Sequence, residues 1–135
     1  LSYGQKQKVS FDTYFIGLKN HKFCISPEGN GIDCHRHYET ILAKGIPIIQ
    51  IPSEDYANER WGKNSYMQKY DNLPILWTTD YTELTEYYLE RKYEEMLEVE
   101  FDFKKMTITY WAEHSNNLLK NMEFWKQKFF RNDPK

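Results

Sequence analysis

Lys22-Phe-Cys-Ile-Ser-Pro-Glu-Gly-Asn-Gly-Ile-Asp-Cys-His-Arg-His-Tyr-Glu39, continuing to Gly45-Ile-Pro-Ile-Ile49, reads as a strand, a glycine-rich turn, a helix, a glycine cap and a second strand. That order is one βαβ unit with its chemistry at the turn. Apolar Phe23, Cys24 and Ile25 predict a short buried strand that Pro27 stops. Gly29 and Gly31 bracket Asn30, which predicts left-handed backbone and close approach to a ligand with no Cβ in the way. Asp33 is placed to cap a helix over about 33–44 and Gly45 to end it, with a buried strand following through Ile46, Pro47, Ile48 and Ile49. In parallel α/β sheets ligands bind outside the carboxyl ends of the strands, which is where Pro27 to Asp33 fall.

Outward from this unit, Ser10 precedes Phe11, Tyr14, Phe15 and Leu18, an amphipathic spacing that predicts a helix ending near Asn20. Residues 52–72 lack a sustained period and read as a long loop with one short helix near Ser65 to Lys69; loops of this length in α/β domains are often functional. Leu73 to Trp77 predicts a third strand, and Thr79 or Thr82 a cap for a helix reaching Leu97. Met106 to Phe130 reads as helix, broken around Asn116 or Asn121, with Trp111, Leu118, Leu119, Met122, Trp125 and Phe129 as a core stripe. The fold class is therefore α/β: a small parallel sheet flanked by helices, with a helical carboxyl-terminal third. Three strands make a thin sheet, so the 135 residues are expected to be one domain cut from a longer chain.

The balance of 18 basic against 20 acidic residues gives a net charge of −2, which argues against a broad electrostatic footprint for nucleic acid. No run approaches a membrane span, and Leu1-Ser-Tyr-Gly-Gln-Lys carries no hydrophobic signal core. Cys24 and Cys34 are expected as free thiols rather than a disulfide scaffold.

Arg36 and Glu39 lie three apart, on one face of the predicted helix, with Arg36 in its first turn. Backbone N–H groups of Gly29 to Asp33, the positive helix end and a bidentate guanidinium together suit a diphosphate. Glu39 is placed to accept hydrogen bonds from a ribose diol, and Glu28 to face a transferred group. The plainer alternative makes Gly29-Asn-Gly31 a tight turn, Asp33 a helix cap and Arg36–Glu39 a surface ion pair worth less than about 1 kcal/mol. Asp33 also competes with a phosphate at the helix end. Cys34, His35 and His37 tempt a zinc assignment, but adjacent helix positions diverge and structural zinc needs four convergent ligands, so no metal is expected. The loop aromatics Tyr56, Trp61, Tyr66 and Tyr70 are candidates for stacking on a base or sugar. Walker-type, zincin and nucleophile-elbow patterns do not occur.

The segment from Lys22 to Glu39 with Gly45-Ile-Pro-Ile-Ile49 resembles the donor-binding, carboxyl-terminal lobe of exostosin-like glycosyltransferases. A similar layout, with a basic residue where Arg36 stands ahead of a Gly-x-Pro strand, is found in α1,3-fucosyltransferases. Both are GT-B enzymes, with two Rossmann-like lobes. The resemblance implies a nucleoside diphosphate sugar, UDP- or GDP-linked, as donor and a glycan or glycoprotein as acceptor. It makes Arg36 the residue that neutralises the donor phosphates and Glu39 the one near its ribose. The turn Glu28, Gly29, Asn30, Gly31, with Asp33, would line the sugar-diphosphate pocket. It implies no cofactor and no tightly bound metal, and an amino-terminal lobe elsewhere in the protein; the compartment is left open, cytoplasmic or facing the Golgi lumen if the domain is part of a longer chain. The alternative is a non-catalytic glycan-binding or interaction module on the same frame.

Overall fold

A computed structural model describes residues 9–53 and 63–120, with residues 63–65 described by their backbone. Helix α1 (Phe11–Lys19) starts where Ser10 Oγ accepts the Thr13 N–H at 3.3 Å, and it ends at Asn20. Strand β1 (Phe23–Ile25), helix α2 (His35–Leu42) and strand β2 (Ile46–Gln50) follow. Then come helix α3 (Lys63–Gln68), strand β3 (Leu76–Thr78), a 3-10 turn (Tyr81–Glu83) and helix α4 (Glu86–Leu97). The chain forms two compact units, Leu1–Phe101 and Asp102–Lys135. In the second, a 3-10 turn (Phe103–Met106) leads into helix α5 (Ile108–Lys120). No described helix is long and apolar enough to cross a membrane.

The sheet is parallel, in the order β1-β2-β3, with Phe23 opposite Ile46 and Ile48 opposite Leu76. The central β2 is buried from Ile46 to Ile49, as a strand covered on both faces must be. Pro47 lies in a central strand at a position that tolerates it. Ile46 N–H donates to Lys22 O and Ile48 O accepts from Ser26 N–H, so these residues turn toward β1. Pro47 therefore turns its missing N–H toward the β3 side, where pairing begins only at Ile48. One sheet face carries Ile46, Ile48 and Leu76, on which Tyr81, Leu84, Tyr88, Leu89, Tyr93 and Met96 pack. On the other, Trp77 meets Tyr66 and Tyr70 edge-on, and Tyr70 in turn meets His37 and Tyr38 of α2.

Several local expectations are corrected. Strand β1 is an edge strand with Ile25 53% exposed, not a buried one, because nothing pairs beyond it among the described residues. Helix α2 is shorter than expected at both ends. Its cap position is Cys34, which makes no side-chain cap bond, and Asp33 lies outside the helix. At the other end Lys44, not Gly45, takes the left-handed conformation (φ 63°). Lys44 N–H bonds Ile41 O and Gly45 N–H bonds Thr40 O, a Schellman closure in which a Cβ on Gly45 would lie tightly, 3.2 Å from Thr40 Cγ2. The cap of α4 is Thr85, since Asp80 instead starts a separate 3-10 turn ahead of it. Helix α5 runs through Asn116 unbroken, and Leu118 and Leu119 are exposed rather than core. Asn121, Met122, Trp125 and Phe129 lie outside the described residues.

Candidate functional site

The carboxyl ends of β1 and β2, with Tyr81 from the turn after β3, enclose an open cleft of about 520 Å³. Ser26, Pro27, Glu28, Gln50, Ser53 and Tyr81 are on its wall, and Ile49 and Ile51 give it an apolar part. Glu28 is the one charged residue among the described residues that line it. The phenol oxygen of Tyr81 is buried without a hydrogen-bond partner among the described residues. Burial pushes that phenol's pKa up; the neighbouring Gln50 main chain opposes the shift without completing a bond.

Beyond the cleft wall the turn continues through Gly29, Asn30 and Gly31, all exposed. Neither glycine adopts the left-handed conformation the sequence predicts. Gly29 N–H bonds Gly31 O at 3.1 Å, closing the turn on itself. What the glycines contribute is an uncluttered surface: a Cβ on Gly31 would meet nothing within 4 Å.

Asp33 is gripped by Tyr38 of α2 and by Lys69 and Tyr70 of the turn that follows α3. Its Oδ1 accepts the hydroxyls of Tyr38 (2.8 Å) and Tyr70, and its Oδ2 pairs with Lys69 Nζ at 2.9 Å. Burial pushes the carboxyl's pKa up, but the bonds from Tyr70, Lys69 and Tyr38 outweigh it and hold the group below the usual carboxylate range. Burial and the facing carboxylate push the Tyr38 and Tyr70 phenols up, so both remain donors. Ile32, just before, offers its carbonyl to Tyr66 Oη (3.1 Å) and to the His37 ring.

Arg36 is exposed in the first turn of α2. It does not pair with Glu39. One oxygen of Glu39 accepts the Tyr14 hydroxyl at 2.9 Å instead, joining α2 to α1. Burial and Glu39 push the Tyr14 phenol up, while Arg36 lies close enough to oppose them. His35 is exposed and His37 fully buried, so the two rings of the Cys-His-Arg-His run point apart. Cys24 and Cys34 are free thiols.

Of the loop aromatics, Tyr66 and Tyr70 are 4% and 2% exposed and belong to the core, which removes them as stacking surfaces. Tyr56 and Trp61 lie outside the described residues. Tyr81, which the sequence reading passed over, enters the cleft because the 3-10 turn starting at Asp80 folds it back beneath the strand ends. The only local signal was Asp80 as a cap.

The family model described as the RXYLT1 C-terminal domain matches residues 2–130, nearly the whole chain. The chain belongs to the RXYLT1 C-terminal domain family. No curated protein matches it. Membership of the RXYLT1 C-terminal domain family supports a glycosyltransferase carboxyl-terminal domain, and the three-stranded parallel sheet with flanking helices is consistent with a Rossmann-like lobe.

Proposed function

We propose that this domain is the nucleotide-sugar-binding lobe of a GT-B glycosyltransferase of the exostosin type. The observation that carries the reading is the cleft at the strand ends, bordered by the Glu28–Gly31 turn that leads into the Arg36 helix. The first N–H groups of α2 receive no side-chain cap, and a helix end so left suits an anion. Lys69 and two tyrosines engage Asp33, which lessens its competition with a phosphate there. The diphosphate is assigned to the turn amides and Arg36, the ribose to Glu39, and the sugar to the cleft, whose described lining offers hydroxyls, an amide and one carboxylate that suit a neutral polyol. As the bond from the anomeric carbon to the diphosphate breaks, Arg36 and the helix end stabilise the charge that builds on the departing phosphate. The acceptor is a glycan or glycoprotein held largely by a second lobe.

Calorimetric titration with UDP, GDP and their hexose and pentose conjugates tests this. Saturable binding of one nucleotide series is expected; glycan binding without nucleotide affinity would instead establish the non-catalytic module. The phenol of Tyr81, buried without a partner among the described residues, yields a finer expectation. A donor sugar hydroxyl would satisfy it, so Tyr81→Phe should weaken the sugar nucleotide by about 0.5–1.5 kcal/mol and leave the free diphosphate unchanged. The unliganded variant should melt close to wild type, because the group it loses has no hydrogen-bond partner among the described residues.

A further inference from the structure

We infer that His37 is the positioning residue of the Gly29–Gly31 turn and that it holds the turn only as a neutral imidazole carrying its proton on Nε2. The imidazole and Ser26 are both completely buried. His37 Nε2 lies 2.8 Å from Ile32 O, and a carbonyl only accepts, so Nε2 carries the hydrogen. In the neutral ring Nδ1 then presents a lone pair, and Ser26 Oγ, 2.6 Å away, donates to it. Ser26 is itself registered on the sheet, its N–H bonding Ile48 O at 2.9 Å. A continuous path of hydrogen bonds thus runs from β2 through Ser26 and His37 to Ile32. It pins both ends of the segment that carries Glu28, Gly29, Asn30 and Gly31. Between those anchors the turn has its own Gly29–Gly31 bond and a long contact from Cys34 Sγ to Pro27 O at 3.7 Å.

Protonation of Nδ1 would reverse this bond, with Ser26 Oγ accepting instead of donating and the hydroxyl's own hydrogen left with no other acceptor among the described residues. A buried O–H left without an acceptor is costly, so the tie would weaken at Ser26. The groups around the ring divide in sign. Glu28 and Asp33 from the turn favour the imidazolium, Lys69 just past α3 offsets part of Asp33, and Arg36 of α2 disfavours it. Cys34 Sγ lies 3.5 Å from both ring nitrogens, the neutral Tyr70 ring stands edge-on at 5.8 Å, and Tyr66 shares the Ile32 carbonyl. Burial dominates and holds the ring's pKa below its ordinary 6.5. The unfolded chain therefore takes up this proton first. The tie contributes fully above about pH 6.5 and is lost as pH falls from there through the folded value.

The tie does not depend on what the turn binds, but its effect on a nucleotide rests on the donor-lobe reading. The experiment is NMR on the whole chain from pH 7.5 down to pH 4.5, following the His37 ring nitrogens and the exchange rate of the Gly29 amide. The expected result is an Nε2–H imidazole at pH 7. Gly29 exchange, corrected for intrinsic pH dependence, should rise roughly three- to tenfold with the same midpoint as the ring. Ser26→Ala and His37→Leu should show the faster exchange already at pH 7, while the Ile48 and Ile49 amides stay protected. His37→Gln, which keeps an amide donor for Ile32 O, should restore most of the protection and abolish the pH response. An Nδ1–H ring, or Gly29 exchange indifferent to the ring's ionisation in wild type, overturns the inference without relying on any variant to fold. Where UDP or GDP binds, its dissociation constant should rise with that midpoint. A chain that binds neither defeats the donor-lobe reading, while ring tautomer and Gly29 exchange still decide the role of His37.

Discussion

Arg36→Ala is expected to weaken binding of the nucleoside diphosphate by about 1.5–3 kcal/mol, between roughly tenfold and 150-fold, the usual worth of a charge-assisted contact. The side chain is exposed in the first turn of α2 and makes no ion pair among the described residues, and its approach to the Tyr14 hydroxyl is itself partly exposed, so little of its free energy is committed to the fold. Arginine and alanine differ little in helix propensity, and the variant should unfold within about 0.5 kcal/mol of wild type. Affinity and stability then separate cleanly in one protein. Arg36→Lys should recover only part of the loss, since an ammonium keeps the charge and forfeits the planar two-pronged contact. Calorimetry on the three proteins settles the point: wild-type affinity in Arg36→Ala would sink the donor assignment. Glu39→Ala belongs in the same series. If Glu39 reads the ribose, nucleosides should suffer as much as nucleotides while inorganic pyrophosphate binds unchanged.

Asp33→Ala should cost about 2–4 kcal/mol of folding stability, measured by urea unfolding at pH 7. The Lys69 pair contributes little of this, because both side chains are more than a third exposed and the pair is screened. The larger share comes from Tyr70, 2% exposed, whose hydroxyl loses a charged acceptor in the core. Tyr70→Phe in the Asp33→Ala background should therefore add much less than it costs alone, as expected of two groups that share one interaction. The pH dependence has a definite sign. Asp33's folded pKa lies below its ordinary 3.8, so its contribution is complete above about pH 3.8 and is lost as pH falls through the folded value. Asp33→Asn should flatten that part of the acid-unfolding profile. An equally steep profile in the asparagine variant would assign acid sensitivity to another group.

The sequence by itself determined what spacing and caps encode. Ser10 at the start of α1, the unbroken apolar run of β2, the glycine closing the α2–β2 connection and the short helix near Ser65 are all local statements, and the structure places each of those elements where such rules put it. The same rules made the βαβ unit legible and placed Glu28 at the strand end, where it lines the cleft. Only the tertiary structure decided where Asp33 points, since the groups that take it from helix capping, Lys69 and Tyr70, are 36 and 37 residues away. It likewise decided that Tyr14 meets Glu39 across 25 residues and that Tyr66 and Tyr70 are core. His37, on its face part of a metal-like run, became the link between Ser26 and Ile32. The physical reason is reach: periodicity and capping act over about four residues along the chain. Partners 25 to 37 residues apart are chosen by sheet register and by which face of each helix the core claims.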